Sequence, residues 1–383
     1  MLDYFLTEEQ KMLKELCQKF VEEKIKPVSL EYDKKQEFPK GILEEMARSD
    51  LFRVFVPEEY EGLGCKVMDL CVVVEEISRG CAGIGASYAA CALGTFPIIL
   101  YGTEEQKKKY LPQIASGEKL VAFCLTEPEA GSDASGIKTQ AKKDGKFYIL
   151  NGTKHFITNG GEADIYVVVA MTDKSKGARG ASCFIVEKGT EGLHFGKKED
   201  KMGIRASVTR EVIFQDCKVP EENMLGKPGY GFIITMKTFD YSRPGVGAQA
   251  VGIAQRALEE SLQYAHQRVQ FGKPISSFQG IQWMLADMAT KIEAARSLVY
   301  SVAKMIDSGA KNFTKESAMS KYFASEVAME VTTQAVQILG GYGYMHEYGV
   351  EKLMRDAKIT QIYEGTNQIQ KNVIALSLIK KYT

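Results

Sequence analysis

The sequence predicts an α+β multidomain fold in three consecutive segments. These are an N-terminal all-α domain over 1–120, a middle antiparallel β-barrel domain over 121–229 and a C-terminal four-helix bundle over 230–383. Three observations carry this reading. Apolar residues recur with a helical period at both ends of the chain. In the middle, short β-rich runs alternate with glycine-containing turns and no helices intervene, the pattern of an antiparallel sheet or barrel. The 383 residues are also enough for two or three domains and a sizeable core.

The first helix opens at Thr7, which forms a capping box with Gln10, and Met12, Leu13, Leu16, Phe20 and Val21 follow at helical spacing. Pro27, Pro39, Pro57 and the Glu61-Gly62-Leu63-Gly64 turn punctuate further helices over Ile42–Met46 and Met68–Ile77, and Glu104–Ile114 reads as another. Between them, Gly80 to Thr103 carries no charge, a length that could span a bilayer. A lipid-facing helix favours Leu, Ile and Val, whereas this segment is rich in Gly, Ala and Ser and is interrupted by Pro97. It is expected to be a helix crowded by protein, or one lining a ligand cavity.

Strands are expected over Lys146–Leu150, Asp164–Met171, Ala181–Glu187 and Arg210–Phe214, with a tight hairpin turn at Asn151-Gly152. From about Tyr230 the helical period returns. Ala250–Arg268, Gln279–Asp307, Thr314–Leu339 and Asn367–Lys380 are long enough for bundle helices.

Composition narrows the function. Forty-nine basic residues balance 49 acidic ones, which argues against a protein held to nucleic acid by a broad basic field. The eight cysteines show no CxxC or Cys/His ligand spacing and there are four histidines, so no metal site is expected. Scattered cysteines fit reduced thiols, and MLDYFLTEEQ lacks the features of a secretion signal. The expected location is the cytoplasm, or a mitochondrial matrix for a eukaryotic mature chain. No G-x-G-x-x-G follows a strand and no P-loop occurs, so a nucleotide cofactor would have to be held another way.

Four segments carry candidate chemistry. Phe123 to Asp133 sits at the α-to-β boundary, where Thr126 and Ser132 offer hydroxyls and Gly131 permits close approach to a ligand; it reads equally as a polar loop. Asn151 to Gly161 places Phe156 beside Thr158, which could wall a flat ring or simply pack across strands. Arg268-Val269-Gln270-Phe271-Gly272-Lys273-Pro274, followed by Gln279, could clamp a phosphate, although an Arg is also favoured at a helix C-terminus. Last come Val336 to Gly343, a helix ending in glycines, and Met354 to Gln370, where Glu364 lies on a short connection beside Gly365. A carboxylate there can reach into a cleft as a base; a lone Glu is otherwise a solvated surface group.

Together, in this order and spacing and over essentially the whole chain, these segments resemble the acyl-CoA dehydrogenase family. The resemblance implies the helical, β-barrel and four-helix-bundle fold, non-covalent FAD, acyl-CoA as substrate, an electron-transfer flavoprotein as acceptor and a homotetramer built as a dimer of dimers. Carried onto this sequence, Glu364 matches the catalytic base. Some relatives place that base near Phe239–Pro244, where this chain has Ser242 and no Glu. The implied flavin contacts are Phe123, Leu125, Thr126, Phe156 and Thr158. Thr366 and Gln368 lie nearer the same flavin, and Arg268, Gln270, Phe271, Gln279, Gln337 and Gly341 serve the neighbouring subunit's FAD. Phe156 stands where many members have Trp. Ser132, Ser207, Asp240, Arg243 and Gly365 match positions that contact acyl-CoA.

The implied reaction removes the α-proton of a thioester through Glu364 and passes a β-hydride to flavin N5, giving a trans-2-enoyl-CoA. Phe96 and Tyr101 are bulky enough to shorten the acyl cavity, which favours a short or medium chain; a cyclic, aromatic or branched acyl-CoA is the alternative. An acyl-CoA oxidase using O2, a flavin scaffold lacking its base and a membrane-attached long-chain relative are the remaining rivals. The first and last typically carry additional C-terminal sequence, and the scaffold would lack a carboxylate at position 364.

Overall fold

A computed structural model describes residues 3–64 and 66–380. Cys65 and the first two residues of the N-terminal decapeptide lie outside them. The N-terminal region holds α1 (Glu8–Phe20), α2 (Ser29–Lys35), α3 (Lys40–Arg48), α4 (Val67–Gly80), α5 (Ala82–Tyr101) and α6 (Glu104–Ala115). The box at Thr7 forms in both directions: its Oγ1 accepts from Gln10 N at 3.2 Å, and Gln10 Oε1 accepts from Thr7 N at 3.1 Å. Thr103 and Gln106 repeat the device at the start of α6. Each such cap contributes about 1 kcal/mol.

Among the described residues, α5 alone is long and apolar enough to cross a membrane, and most of it is buried inside the fold. Pro97 does not interrupt it: the helix runs on to Tyr101. Small residues set its packing. A Cβ on Gly94 would meet Val121 Cγ1 at 2.6 Å, and one on Gly85 would meet Ser78 Oγ at 2.2 Å. The helix therefore lies against both β1 and α4.

The middle strands are β1 (Val121–Cys124), β2 (Gln140–Asp144), β3 (Phe147–Thr158), β4 (Ile165–Met171), β5 (Ala181–Glu187), β6 (Leu193–Lys198), β7 (Thr209–Pro220) and β8 (Met224–Leu225). They form one sheet in the order β6-β7-β3-β2-β4-β5-β8, with β1 added to β4. Pairing is antiparallel except for β1–β4 and the single β2–β4 pair. The β1–β4 pair is parallel because β2 and β3 intervene, rather than a tight hairpin. Among the described residues β6 and β8 do not pair, so the barrel-like sheet stays open at that seam.

The expected hairpin turn at Asn151-Gly152 is instead the middle of β3. The chain reverses earlier, at Gly145 (φ 57°). At Asn151 the β3–β7 register shifts by one residue. The Asn151 side chain bonds Asp216 across the bulge, at 3.0 Å from Nδ2 to Oδ1 and 2.8 Å from Asp216 N to Oδ1. Gly152 is required there: at φ 145° a Cβ would come within 2.7 Å of Thr139 Cα.

The sheet separates two cores, and β4 shows how. Ile165, Val167, Val169 and Met171 join the large helical core, while Tyr166, Val168 and Ala170 join a second core inside the sheet. Period-two alternation with both faces buried reads in sequence as one continuous apolar run. By the same alternation Phe123 and Leu125 point toward the helices, whereas Ala122 and Cys124 point into the sheet.

The C-terminal helices are α7 (Gly231–Gln267), α8 (Gln279–Asp307), α9 (Thr314–Leu339), α10 (Val350–Thr360) and α11 (Asn367–Ile379); a small hairpin of β9 (Val269–Gln270) and β10 (Lys273–Pro274) follows α7. The first bundle helix thus begins 19 residues before the expected Ala250 and runs through Pro244. Proline deprives the carbonyl four residues earlier of its helical donor. That carbonyl is Asp240 O, and Ser317 Oγ of α9 donates to it at 2.7 Å. The gap is filled from the neighbouring helix.

Candidate active site

One cavity lies where α5, α7, the ends of β1 and β3 and the α10–α11 connection meet. Ala86, Ala89, Ala90 and Leu93 form one wall, at the i, i+3, i+4, i+7 spacing of a single face of α5. Phe123 packs edge-on to Phe239 of α7, ring centres 5.9 Å apart, to form another. Phe96 lies one turn farther along α5, buried against Tyr241 at 5.9 Å, and neither it nor Tyr101 lines the cavity. Tyr363 and Gln249 also line it. The tyrosine hydroxyl donates to Gln249 Oε1, and Gln249 Nε2 donates to Ala82 O at 3.0 Å.

Glu364 enters from the α10–α11 connection, half-buried and at φ 50°, followed by Gly365 at φ 92°. A non-glycine residue in the left-handed region costs about 1–3 kcal/mol where its surroundings must hold it there. The holding groups are visible. Gln370 Nε2 donates to the carbonyls of Glu364 (3.1 Å) and Gly365 (2.8 Å), and Arg243 Nε lies 3.4 Å from Glu364 O. Ser242 Oγ donates to the carboxylate at 2.5 Å. Burial pushes the Glu364 carboxyl above the usual carboxylate range, opposed by the Ser242 hydrogen bond and by Arg243 and Lys321. Ser242→Ala removes a bond made to the ionised form. The pH at which the Glu364 carboxyl titrates is therefore expected to rise; a pH–rate profile of the variant checks it.

The β1 and β3 ends are clamped together beside Glu364. Lys154 Nζ donates to Leu125 O at 2.9 Å and to Glu127 Oε1 at 2.7 Å, and His155 N donates to Thr126 O at 2.7 Å. Glu127 also accepts from Lys138 N and Thr139 N. Burial raises its carboxyl, but Lys154 and these N–H groups outweigh burial and hold it below its usual range. Beyond the clamp, Phe156 is 62% exposed at φ 58°, stacked on His155 with ring centres 4.0 Å apart. Thr126 and Thr158 also line the cavity, and no hydrogen bond to either hydroxyl is present among the described residues. Free hydroxyls beside an apolar wall and an outward-held aromatic suit a flat ring system with polar edges.

The sequence-derived site residues thus fall into two groups. Phe123, Leu125, Thr126, Phe156, Thr158 and Glu364 share the cavity. Gly365 adjoins it, and Thr366 caps α11 by accepting from Ile369 N at 3.3 Å while Gln368 is exposed. Arg243 and Asp240 are buried on α7, 3.5 Å apart, with Thr314 Oγ1 donating to Asp240 at 2.6 Å. Ser132 sits on the exposed β1–β2 loop, and Ser207 is fully buried with Ser87 Oγ at 3.2 Å. The second group lies at the far end of α7, roughly 40 Å along the helix from Ser242 at 1.5 Å per residue. Arg268, Gln270 and Gly341 line a groove there, with Arg268 5.3 Å above the Tyr342 ring. Phe271 is 93% exposed, and Gln279 and Gln337 are exposed. Within one chain the two groups do not meet. Gln249, Lys321 and the Lys154–Glu127 pair were not singled out from sequence, because a Gln or Lys in an amphipathic element reads as surface.

Comparison with known proteins agrees with this geometry. Profiles of the acyl-CoA dehydrogenase N-terminal, middle and C-terminal domains match residues 7–118, 122–217 and 229–379. The chain belongs to the acyl-CoA dehydrogenase family. It is 49% identical to the acryloyl-CoA reductase (NADH) of Anaerotignum propionicum over 99% of this chain and 97% of that protein. Among solved structures it resembles butyryl-CoA dehydrogenase from Megasphaera elsdenii (TM-score 0.95, 50% identity, 98% of this chain and 99% of that one). It also resembles a chain from structural work on the electron transferring flavoprotein of Acidaminococcus fermentans and flavin-based electron bifurcation (TM-score 0.96, 52% identity, 98% of each chain). The protein is accordingly an oxidoreductase of the acyl-CoA dehydrogenase type, and its family is FAD-dependent. The cavity's hydroxyls, aromatic edge and apolar wall fit that cofactor.

Proposed function

We propose that the protein interconverts a short-chain acyl-CoA and its trans-2-enoyl-CoA, with Glu364 as the base. The observation that carries this is the half-buried Glu364 carboxylate held at the cavity by Ser242 and the connection's backbone. Bound FAD would accept the β-hydride at N5. This chain's residues do the rest. Leu125, Thr126, Phe156 and Thr158 would seat the flavin. The alanine wall of α5 excludes water from the acyl chain. Glu364 takes the α-proton, its basicity raised by burial as the cleft fills. Arg243, 3.4 Å from the Glu364 carbonyl, keeps the base in register.

The Tyr363–Gln249 pair in the cavity lining, tethered to Ala82, would set chain length by closing one end of the acyl path. Gln249→Ala should open that end and move the preferred substrate from butanoyl-CoA toward octanoyl-CoA. Relative kcat/KM across linear thioesters measures it, and an unchanged ranking would mean the closure does not set length. The small side chains of Ala86, Ala89 and Ala90 favour one second reading, a cyclic, aromatic or branched acyl group accommodated sideways.

The groove residues Arg268, Gln270 and Gly341 lie far from the cavity of their own chain, which supports their service to a neighbouring subunit's FAD in a homotetramer. An electron-transfer flavoprotein is the proposed electron partner, in keeping with the resemblance to the Acidaminococcus work. The reductase relative leaves the physiological direction to be set by that partner. Fast flavin reoxidation in air with peroxide release would favour the oxidase reading instead.

A further inference from the structure

The connection that presents Glu364 is held from behind by a group outside the flavin and thioester contacts. Lys321, on α9, has no solvent exposure. Its Nζ donates to Gly365 O at 2.8 Å and to Asn367 Oδ1 at 2.9 Å, the first residue of α11. Asn367 is itself fixed by Ser325 and by Glu326, to whose Oε1 it donates at 2.6 Å. A lysine buried on a helix and spent on a backbone carbonyl 44 residues away is unusual, since ammonium groups are rarely buried without a carboxylate in contact.

We propose that Lys321 is a positioning residue for the base: it clamps the Gly365 carbonyl to the start of α11 and so holds the two successive left-handed residues Glu364 and Gly365 in the conformation that presents the carboxylate to the cavity. This rests on the reading of Glu364 as the base. Three features support it. Glu364 and Gly365 have φ of 50° and 92°, a pair that other surroundings would let relax. Gln370 and Arg243 hold the Glu364 carbonyl, whereas the Gly365 carbonyl is shared by Gln370 and Lys321. The charged groups facing the ammonium are Glu364 from the connection, Arg243 from α7 and Glu326 from its own helix; α11 presents the Asn367 amide. Burial pulls the Lys321 ammonium down to about 7, against the attraction of Glu364 and Glu326. The base and its clamp thus face one another electrostatically, each favouring the other's charged form.

The test is anaerobic flavin bleaching by butanoyl-CoA across a pH series, on FAD-loaded protein. Lys321→Met should retain flavin, bleach at least about tenfold more slowly and show a higher pH midpoint, because the lost cation favoured the ionised carboxylate. Lys321→Gln keeps a donor for Gly365 without the charge, so it should recover part of the rate while the midpoint stays high. Lys321→Arg should bring the midpoint back toward that of the unmodified protein. If the Met variant fails to hold flavin, the Gln and Arg variants carry the comparison. Unmodified rate and midpoint in both neutral variants, with Glu364→Gln inert, would overturn the clamp alone. So would slower bleaching with an unmoved midpoint in both, the mark of a packing defect. Bleaching by Glu364→Gln at the unmodified rate would instead overturn the base, and the clamp with it.

Discussion

Glu364→Gln is expected to bind FAD and acyl-CoA as before and to lose dehydrogenation by on the order of 10⁴-fold, the upper range for removing a positioned general base. The substitution keeps shape and the capacity to accept from Ser242 Oγ, which sits 2.5 Å from the carboxylate. Backbone contacts to the 364 and 365 carbonyls come from Arg243, Gln370 and Lys321 and do not involve the side chain. The connection should therefore stay in place while proton abstraction is lost. Rapid-mixing flavin reduction, alongside thioester titration of the oxidised flavin spectrum, separates chemistry from binding. Near-normal turnover would require a different base, and no carboxylate other than Glu364 lines the cavity among the described residues.

Lys154→Met is expected to cost about 3–5 kcal/mol of stability and to release FAD, because it leaves the Glu127 carboxylate buried without its cation. Lys154 is fully buried and Glu127 nearly so, 2.7 Å apart. The same ammonium secures Leu125 O, so its loss also frees the segment proposed to seat the flavin. The double variant Lys154→Met, Glu127→Gln should recover part of the stability, since no charge is then stranded. Thermal unfolding of the three proteins, with flavin content measured on each, checks both claims. The sign with pH is also set. Glu127's carboxyl is held below its usual range. The stabilisation is therefore complete above the unfolded value of about 4.3 and is lost as pH falls through the folded one.

Much of this architecture was legible in the sequence, for identifiable reasons. Capping boxes are local, so Thr7–Gln10 gave a helix start directly. Runs such as Ile165–Met171 are apolar throughout because they separate two cores, and they read as strands without ambiguity. What escaped depended on partners distant in the chain. The continuity of α7 through Pro244 rests on Ser317, 77 residues on from Asp240, which supplies the donor the Asp240 carbonyl lacks. Asn151-Gly152 reads as a turn until Asp216 shows the bulge. The site divided along the same line. Glu364 stood out beside its glycine, and the Phe156–Thr158 segment was visible in the β region. Gln249 and Lys321 were not, because their roles rest on hydrogen bonds to Tyr363 and Gly365 across more than 40 residues. Phe96 was misread as a cavity wall because helical phase alone does not show where α7 crosses α5.

The most direct test of the central claim is anaerobic bleaching of the enzyme-bound flavin by butanoyl-, hexanoyl-, octanoyl- and dodecanoyl-CoA, with a cyclic and an aryl-propanoyl thioester beside them. The expected result is rapid bleaching by butanoyl-CoA, declining steadily with length, and formation of the trans-2-enoyl product in step with flavin reduction. Bleaching strongest with dodecanoyl-CoA, or flavin reduction by none of the thioesters, would contradict a short-chain acyl-CoA dehydrogenase whose acyl path is closed by Gln249 and Tyr363.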